Sequence, residues 1–167
     1  AALDSGTADA DKCLAWIERT QPLTAEQQDY VACQRARHSV EMLAAERRIE
    51  HVRFHEVRSL TARLLEQIDC YDEITILLNP LQAWTRFHTP PLLEDRPSLP
   101  SDVVFYATGG GIRSAVVNDT ARALLNELSS LGPVTLNEWA LKTCCSDREG
   151  LIAACRDLAA LELIALC

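Results

Sequence analysis

Long apolar runs are missing from this chain. No stretch approaches the length needed to cross a bilayer, and no signal-peptide pattern opens it, so a soluble cytoplasmic protein is expected. Catalytic signatures are missing too. There is no C-x-x-C, which removes the zinc-ribbon and thioredoxin-like spacings, and no H-E-x-x-H, because Val52 follows His51. No G-x-S-x-G occurs, and no Lys-Ser/Thr pair follows Gly109-Gly110-Gly111, so these glycines read as a turn between strands and not as a phosphate loop. Basic residues are scarce. Lys and Arg number 16 against 24 Asp and Glu, for a net charge of −8. From Asp102 onward only Arg113, Arg122, Lys142, Arg148 and Arg156 are basic, against Asp102, Asp119, Glu127, Glu138, Asp147, Glu149, Asp157 and Glu162. Neutralised phosphates supply most non-specific DNA affinity, so this balance disfavours nucleic acid and favours a peptide or protein partner.

What is present is globular. With 167 residues, 48% apolar and 24% charged, the chain fits one ordinary domain or two small ones. Asp11 to Thr20 predicts a short amphipathic helix carrying Leu14, Trp16 and Ile17, closed by Pro22. Thr24-Ala25-Glu26-Gln27 is a capping box, and from there to Asn79 neither Gly nor Pro occurs. Val40, Leu43, Val52, Val57, Leu60, Leu64 and Ile68 recur near helical spacing, which predicts one long helix or two, with a break near Arg47-Arg48 or Arg58-Ser59. Ile74 to Leu78 is too short for periodicity to assign, and Leu81 to Phe87 reads as a further helical turn or two. Thr89-Pro90-Pro91, Arg96-Pro97 and Leu99-Pro100 form a stiff connector, and the acidic clusters Asp72-Glu73 and Leu93-Glu94-Asp95 read as solvated turns. The boundary is placed there: a helical N-terminal domain over 1–95 and a second domain over 96–167.

The second domain organises the reading. Val103 to Ala107 is a β-branched and aromatic run, Thr108 to Gly111 supplies turn positions, and Ile112 to Val117 returns as a strand, which makes a hairpin. At Asn118 or Asp119 the period changes to helical, with Ala121, Leu124, Leu125 and Leu128 on one stripe and Gly132-Pro133 as the stop. Two capping boxes follow. Thr135-Leu136-Asn137-Glu138 opens a helix with Leu136, Trp139 and Ala140 inward, and Ser146-Asp147-Arg148-Glu149 opens another with Leu151, Ala154, Cys155 and Leu158 inward. Leu161 to Leu166 continues that helix or forms a short final strand. The fold class expected is α+β and mostly helical: a helical N-terminal part, then a small antiparallel sheet followed by three helices in a winged-helix-like arrangement.

Seven cysteines, Cys13, Cys33, Cys70, Cys144, Cys145, Cys155 and Cys167, are an odd number with several on apolar helical positions, and free thiols are the reading they favour over a vicinal disulfide or soft-metal site at Cys144-Cys145. His51 and His55, at i and i+4, share a helix face. They would need a third ligand such as His38 or His88 to hold a metal, and the pair is read as part of a solvated face.

The order V-V-F-Y-A-T-G-G-G-I-R-S-A-V-V-N-D-T-A-R-A-L-L-N-E-L, then L-G-P-V-T-L-N-E-W, then R-D-L-A-A-L-E-L-I, resembles the PqqD-like recognition domains of ribosomal-peptide biosynthesis. Such a domain is also called a RiPP recognition element. With the helical N-terminal half and the connector Arg96-Pro97-Ser98-Leu99-Pro100, the chain looks most like the MbnC-like partner proteins of methanobactin biosynthesis. The resemblance implies a non-catalytic subunit with no cofactor or metal of its own. It would bind the leader of a precursor peptide as an added strand and form a heterodimer with a multinuclear-iron, MbnB-like oxidase. That oxidase turns precursor cysteines into oxazolone and thioamide groups on the way to a copper chelator. It further implies leader contacts at Val103, Phe105, Ile112, Ser114 and Val116 on the sheet and at Leu151, Ala154, Cys155 and Leu158 on the last helix, with no nucleic acid and no membrane involved. Rival readings are a winged-helix transcription regulator, a metal-binding protein using His51, His55 and cysteines, and the partner of a related iron oxidase acting on another peptide.

Overall fold

The computed structural model describes residues 5–20, 22–68, 73–89, 101–143 and 147–167. The proline connector from residue 90 to 100, the Leu93-Glu94-Asp95 cluster, Cys70, the Cys144-Cys145 pair and Ser146 lie outside the described residues. Helices α1 (Ser5–Thr20), α2 (Ala25–Glu46) and α3 (Arg48–Leu65) come first. Strands β1 (Thr75–Leu78), β2 (Gln82–Phe87), β3 (Ser101–Thr108) and β4 (Gly111–Val117) follow. The chain then runs through α4 (Asp119–Leu131), β5 (Val134–Thr135), α5 (Leu136–Lys142), α6 (Arg148–Ala160) and β6 (Ile164–Leu166). The protein is α+β and mostly helical, with two antiparallel sheets ordered β5-β1-β6 and β2-β3-β4. No described helix is long and apolar enough to cross a membrane.

The helices begin and end on chemistry visible in the sequence. Thr24 and Thr135 cap α2 and α5 in reciprocal boxes, each hydroxyl accepting the backbone N–H of the residue three along while that residue's side chain takes the cap's own N–H. Asn118 caps α4 through the Ala121 N–H at 2.7 Å. The predicted break falls at Arg47, whose backbone leaves the helical range and whose N–H closes on the Leu43 carbonyl at 2.7 Å. The last helix starts one residue later than the predicted box: Asp147 is the cap, accepting the Gly150 N–H at 2.9 Å. At the far end the chain leaves α6 and becomes a short strand, with Glu162 holding a positive φ of 63° at the junction.

The central sheet is covered on both faces. On one, Val103, Phe105 and Ala107 pack with Leu81, Phe87 and the α2 residues Ala36 and Val40. On the other, Val104, Tyr106 and Val117 join Leu124, Leu125, Trp139, Leu151, Cys155 and Leu158, together with Ile76, Ile164 and Leu166 of the first sheet. All eight residues of β3 are buried, which is why Val103 to Ala107 reads as an unbroken apolar run and not as an alternation.

Three placements differ from expectation. Leu81 to Phe87 is strand, not helix: Gln82 to Phe87 pairs residue for residue with Tyr106 to Ser101. A strand-forming neighbour overrode a weak local pattern. The position expected to separate two domains, near residue 95, falls between these two paired strands, and β1 likewise pairs across it with β5 and β6. Removing residues 1–95 would take strands out of both sheets. Finally, Val52 and Leu60, expected on the apolar stripe, are about half exposed, and Ile49 is 69% exposed.

One residue ties the sheets together. Asn79, fully buried where the chain passes from β1 to β2, donates through Nδ2 to the Ala107 and Glu162 carbonyls at 2.9 and 3.0 Å. Its Oδ1 accepts the Leu81 N–H at 2.9 Å, and its own N–H donates to the Leu163 carbonyl at 2.9 Å. Asn79→Ala leaves two carbonyls and one N–H buried without these partners, and is expected to lower the unfolding free energy by about 3 kcal/mol or more, read by denaturant titration. A loss near zero would show that these bonds are dispensable.

Candidate peptide-docking site

The hairpin of β3 and β4 turns through Gly109-Gly110. Thr108 secures it by donating its hydroxyl to the Gly111 carbonyl at 2.9 Å while accepting the Gly110 N–H at 3.2 Å. Gly111 takes φ of +119°, a conformation that side chains disfavour. Because β2 occupies the other side of β3, the hairpin offers only the outer side of β4 as an edge, and no described strand pairs there.

The register says which groups face outward. The Ala107 N–H bonds to the Leu81 carbonyl, so Ala107 and its alternates in β3 turn their backbones toward β2. The residues between them, Asp102, Val104, Tyr106 and Thr108, bond toward β4, where their partners are Val117, Ala115, Arg113 and Gly111. The N–H and C=O groups left over on β4 belong to Ile112, Ser114 and Val116. All three were among the candidate contacts, and all three are half-buried.

Beside the C-terminal end of β4 a cavity of about 210 Å³ opens between the strand, the start of α4 and α6. Val116 and Val117, Thr120 and Ala121, and Ala154 and Leu158 line it, with Asp157 as its charged member. Of the nine candidates, Val116, Ala154 and Leu158 therefore meet in one groove, while Ile112 and Ser114 lie on the same strand edge outside it. The other four do not reach it. Val103 and Phe105 are buried in the core under α2, on a strand paired on both sides. Leu151 and Cys155 are buried in the main core, and burial pushes the Cys155 thiol up to about 12. For these four the correction is one of face and layer: the side chains fill the protein's own interior. The line of apolar contacts expected to run from the sheet to the last helix is also divided, since Ile112 and Val116 pack toward α2 as well.

Beneath the hairpin turn lies the histidine pair. His51 and His55 approach Nε2 to Nε2 at 2.8 Å with ring centroids 4.4 Å apart, and both are half-buried, so they do not sit on a solvated face. Burial holds His51 below its ordinary value, helped by His55 and opposed by a bond to the Ala107 backbone. His38 instead lies beside Glu41, and His88 is exposed with its backbone N–H on Asp29. Among the described residues no group of three or more His, Cys, Asp or Glu gathers to hold a metal. Two contributors escaped sequence reasoning. Asp29 of α2, buried, accepts the His88 and Thr89 N–H groups and the Thr89 hydroxyl, clamping the end of β2. Glu162 receives Arg58 at 2.9 Å and Arg113 of β4 at 3.9 Å, tying β4 to α3. Neither carries a motif, and only the unusual burial of a carboxylate marks them.

No family model, curated protein or solved structure matches the chain.

Two solution tests follow. A depressed His51 contributes stability that is present above its unfolded value of 6.5 and lost as pH falls through its lower folded value. His51→Gln is thus expected to flatten the fall in melting temperature across that acidic window, and an unchanged profile would remove the titration from account. Native protein treated with iodoacetamide is expected to be alkylated at exposed Cys13 and spared at Cys155 until unfolded, as read by mass spectrometry. Rapid native labelling of Cys155 would contradict its burial.

Proposed function

We propose that this chain is a non-catalytic recognition subunit. It binds the leader of a ribosomally made precursor peptide as a fourth strand on β4, and brings that peptide to a multinuclear-iron oxidase of the MbnB-like type with which it forms a heterodimer. The observation that carries the reading is the outward row of Ile112, Ser114 and Val116 backbone groups running into the groove lined by Val116, Ala154 and Leu158. Main-chain bonds along such an edge give affinity with little demand on sequence, and a pocket for alternate side chains fixes the register. The winged-helix alternative finds less support, since α6 carries Arg148 and Arg156 among Glu149 and Asp157, with Asp147 as its cap. The oxidase, its peptide chemistry and the absence of a cofactor in this chain rest on the resemblance alone. The exposed apolar side chains Ile49, Val52 and Leu60 support placing the oxidase contact on α3.

The first experiment is co-purification with the products of neighbouring genes, followed by iron analysis. A stable heterodimer whose iron belongs to the partner is expected; a chain that elutes alone and binds DNA or metal would sink the reading. For the edge itself, Ser114→Pro removes an outward N–H without removing a bond to β3. It is expected to weaken leader binding by at least about tenfold with helical content unchanged. Ala154→Trp, which fills the groove, is expected to do the same. Unchanged affinity in both variants would rule out β4 as the docking edge.

A further inference from the structure

The β2-β3-β4 sheet has a second edge with no described strand on it, and its surroundings differ from those of β4. The alternation that turns Ile112, Ser114 and Val116 outward also leaves the backbone groups of Gln82, Trp84 and Arg86 facing away from β3. No described strand pairs with them. At the Gln82 end the edge lies in a cleft of about 420 Å³ between the C-terminal turn of α2 (Leu43, with Arg47 just beyond) and α4 (Leu125, Ser129). At the Arg86 end it opens into a second cavity of about 350 Å³ lined by Trp84, Thr85, Arg86, Asp102 and Arg122. Trp84 lines both, so the two form one trough along the strand, within the range of volumes that bind ligands.

Its basic groups outnumber its acidic one. The Arg122 guanidinium lies over the Trp84 ring, 4.7 Å from its centroid, and bonds Asp102 at 2.9 Å. Arg86, more than half exposed, reaches the same carboxylate only at 3.8 Å. Two guanidinium groups thus share one acid. At the other end no described carboxylate pairs with Arg47, which is exposed. In a chain of net charge −8, this trough is locally cationic. It also holds an unmet acceptor: Gln82 donates through Nε2 to the Asn79 carbonyl at 3.2 Å, while its buried Oε1 has no partner among the described residues. A strand edge with no described partner and arginines at both ends fit one kind of occupant.

We propose that the β2 edge is a second strand-docking site, taking an extended acidic segment of a partner polypeptide whose carboxylates meet Arg47 at one end and Arg86 with Arg122 at the other. An incoming strand repeats the same face every second residue at about 3.3 Å per residue, so acids about four residues apart span from Gln82 to Arg86. The backbone of the segment bonds to the outward groups of Gln82, Trp84 and Arg86. The site is separate from the β4 groove, so the protein presents two strand edges on opposite sides of one sheet, and both are usable at once.

The test uses the full chain and two fluorescein-labelled ten-residue peptides, one alternating threonine with glutamate and one alternating threonine with lysine, followed by fluorescence anisotropy. The glutamate peptide is expected to bind at least about tenfold more tightly, and Arg47→Glu and Arg86→Glu are each expected to remove most of that preference. Arg86→Pro, which removes an outward N–H as well as the charge, is expected to weaken binding further, while Ser114→Pro on β4 leaves it unchanged. Circular dichroism of each variant guards against unfolding, and Arg47→Glu, outside the sheet, remains informative if the strand variants fail. Equal binding of the two peptides, loss of binding on Ser114→Pro, or no binding at all would overturn the proposal. So would a concentration-dependent dimer abolished by Arg86→Glu, which would assign the edge to a second copy of this chain. The leader-binding test on β4 reads a different strand, so the two proposals fail separately.

Discussion

The architecture depends on Asn79. A chain that leaves one sheet and enters another must pass through the core, and a buried backbone without partners costs more than the packing around it returns. Asn79 solves this with one amide that reaches the end of β3, the turn before β6 and its own succeeding turn. The position of β2 against β3 follows from it, because the Leu81 carbonyl then meets the Ala107 N–H and the strand continues from that bond. Once β2 is fixed, β3 becomes central, β4 becomes an edge, and the outward residues of both edges are set by alternation alone. The geometry of both edges is a consequence of a polar knot about one strand away.

Electrostatics reinforces the same arrangement. The buried carboxylates sit where elements are held together. Asp29 gathers the N–H groups that end β2, Asp102 holds Arg122 and Arg86 across the sheet, and Glu162 joins α3 to β4 through Arg58 and Arg113. Asp29 is met by three donors, the condition under which a buried charge is tolerated, whereas Glu162 keeps its buried Oε2 without a partner among the described residues. This pattern fixes how α3, β2 and β4 meet their neighbours. It also leaves the two edges with distinct characters, an apolar groove beside β4 and a cationic trough beside β2.

Much of the local structure was legible in the sequence. Thr24, Thr135 and Asn118 announce helix starts through side-chain caps, the glycines at 109–111 announce the turn, and Leu124, Leu125, Leu128, Leu151, Cys155 and Leu158 announce inner faces, because each effect acts over a few residues. Strand β2 was not legible. Gln82 to Phe87 has a modest aromatic content and no clean alternation, and it becomes a strand only because Ser101 to Tyr106 lies beside it. Trp84, Thr85 and Phe87 after Asn79-Pro80 were the faint signal available. Missing β2 had consequences for the site: without it β3 looks like a hairpin edge, so Val103 and Phe105 read as contacts when they are core. The distinction between an inward and an outward apolar position on a sheet depends on which neighbours cover each face, and no residue in the strand records that.

The central claim is that a peptide pairs with the outer side of β4, and amide hydrogen exchange tests it most directly. In the free protein the Arg113 and Ala115 amides are held by β3 and those of Ile112, Ser114 and Val116 are not. With the co-purifying precursor peptide added, the account predicts that protection rises at Ile112, Ser114 and Val116 while Arg113 and Ala115 change little. Peptide binding that leaves these three amides exchanging as before, or that protects a different surface, would contradict it.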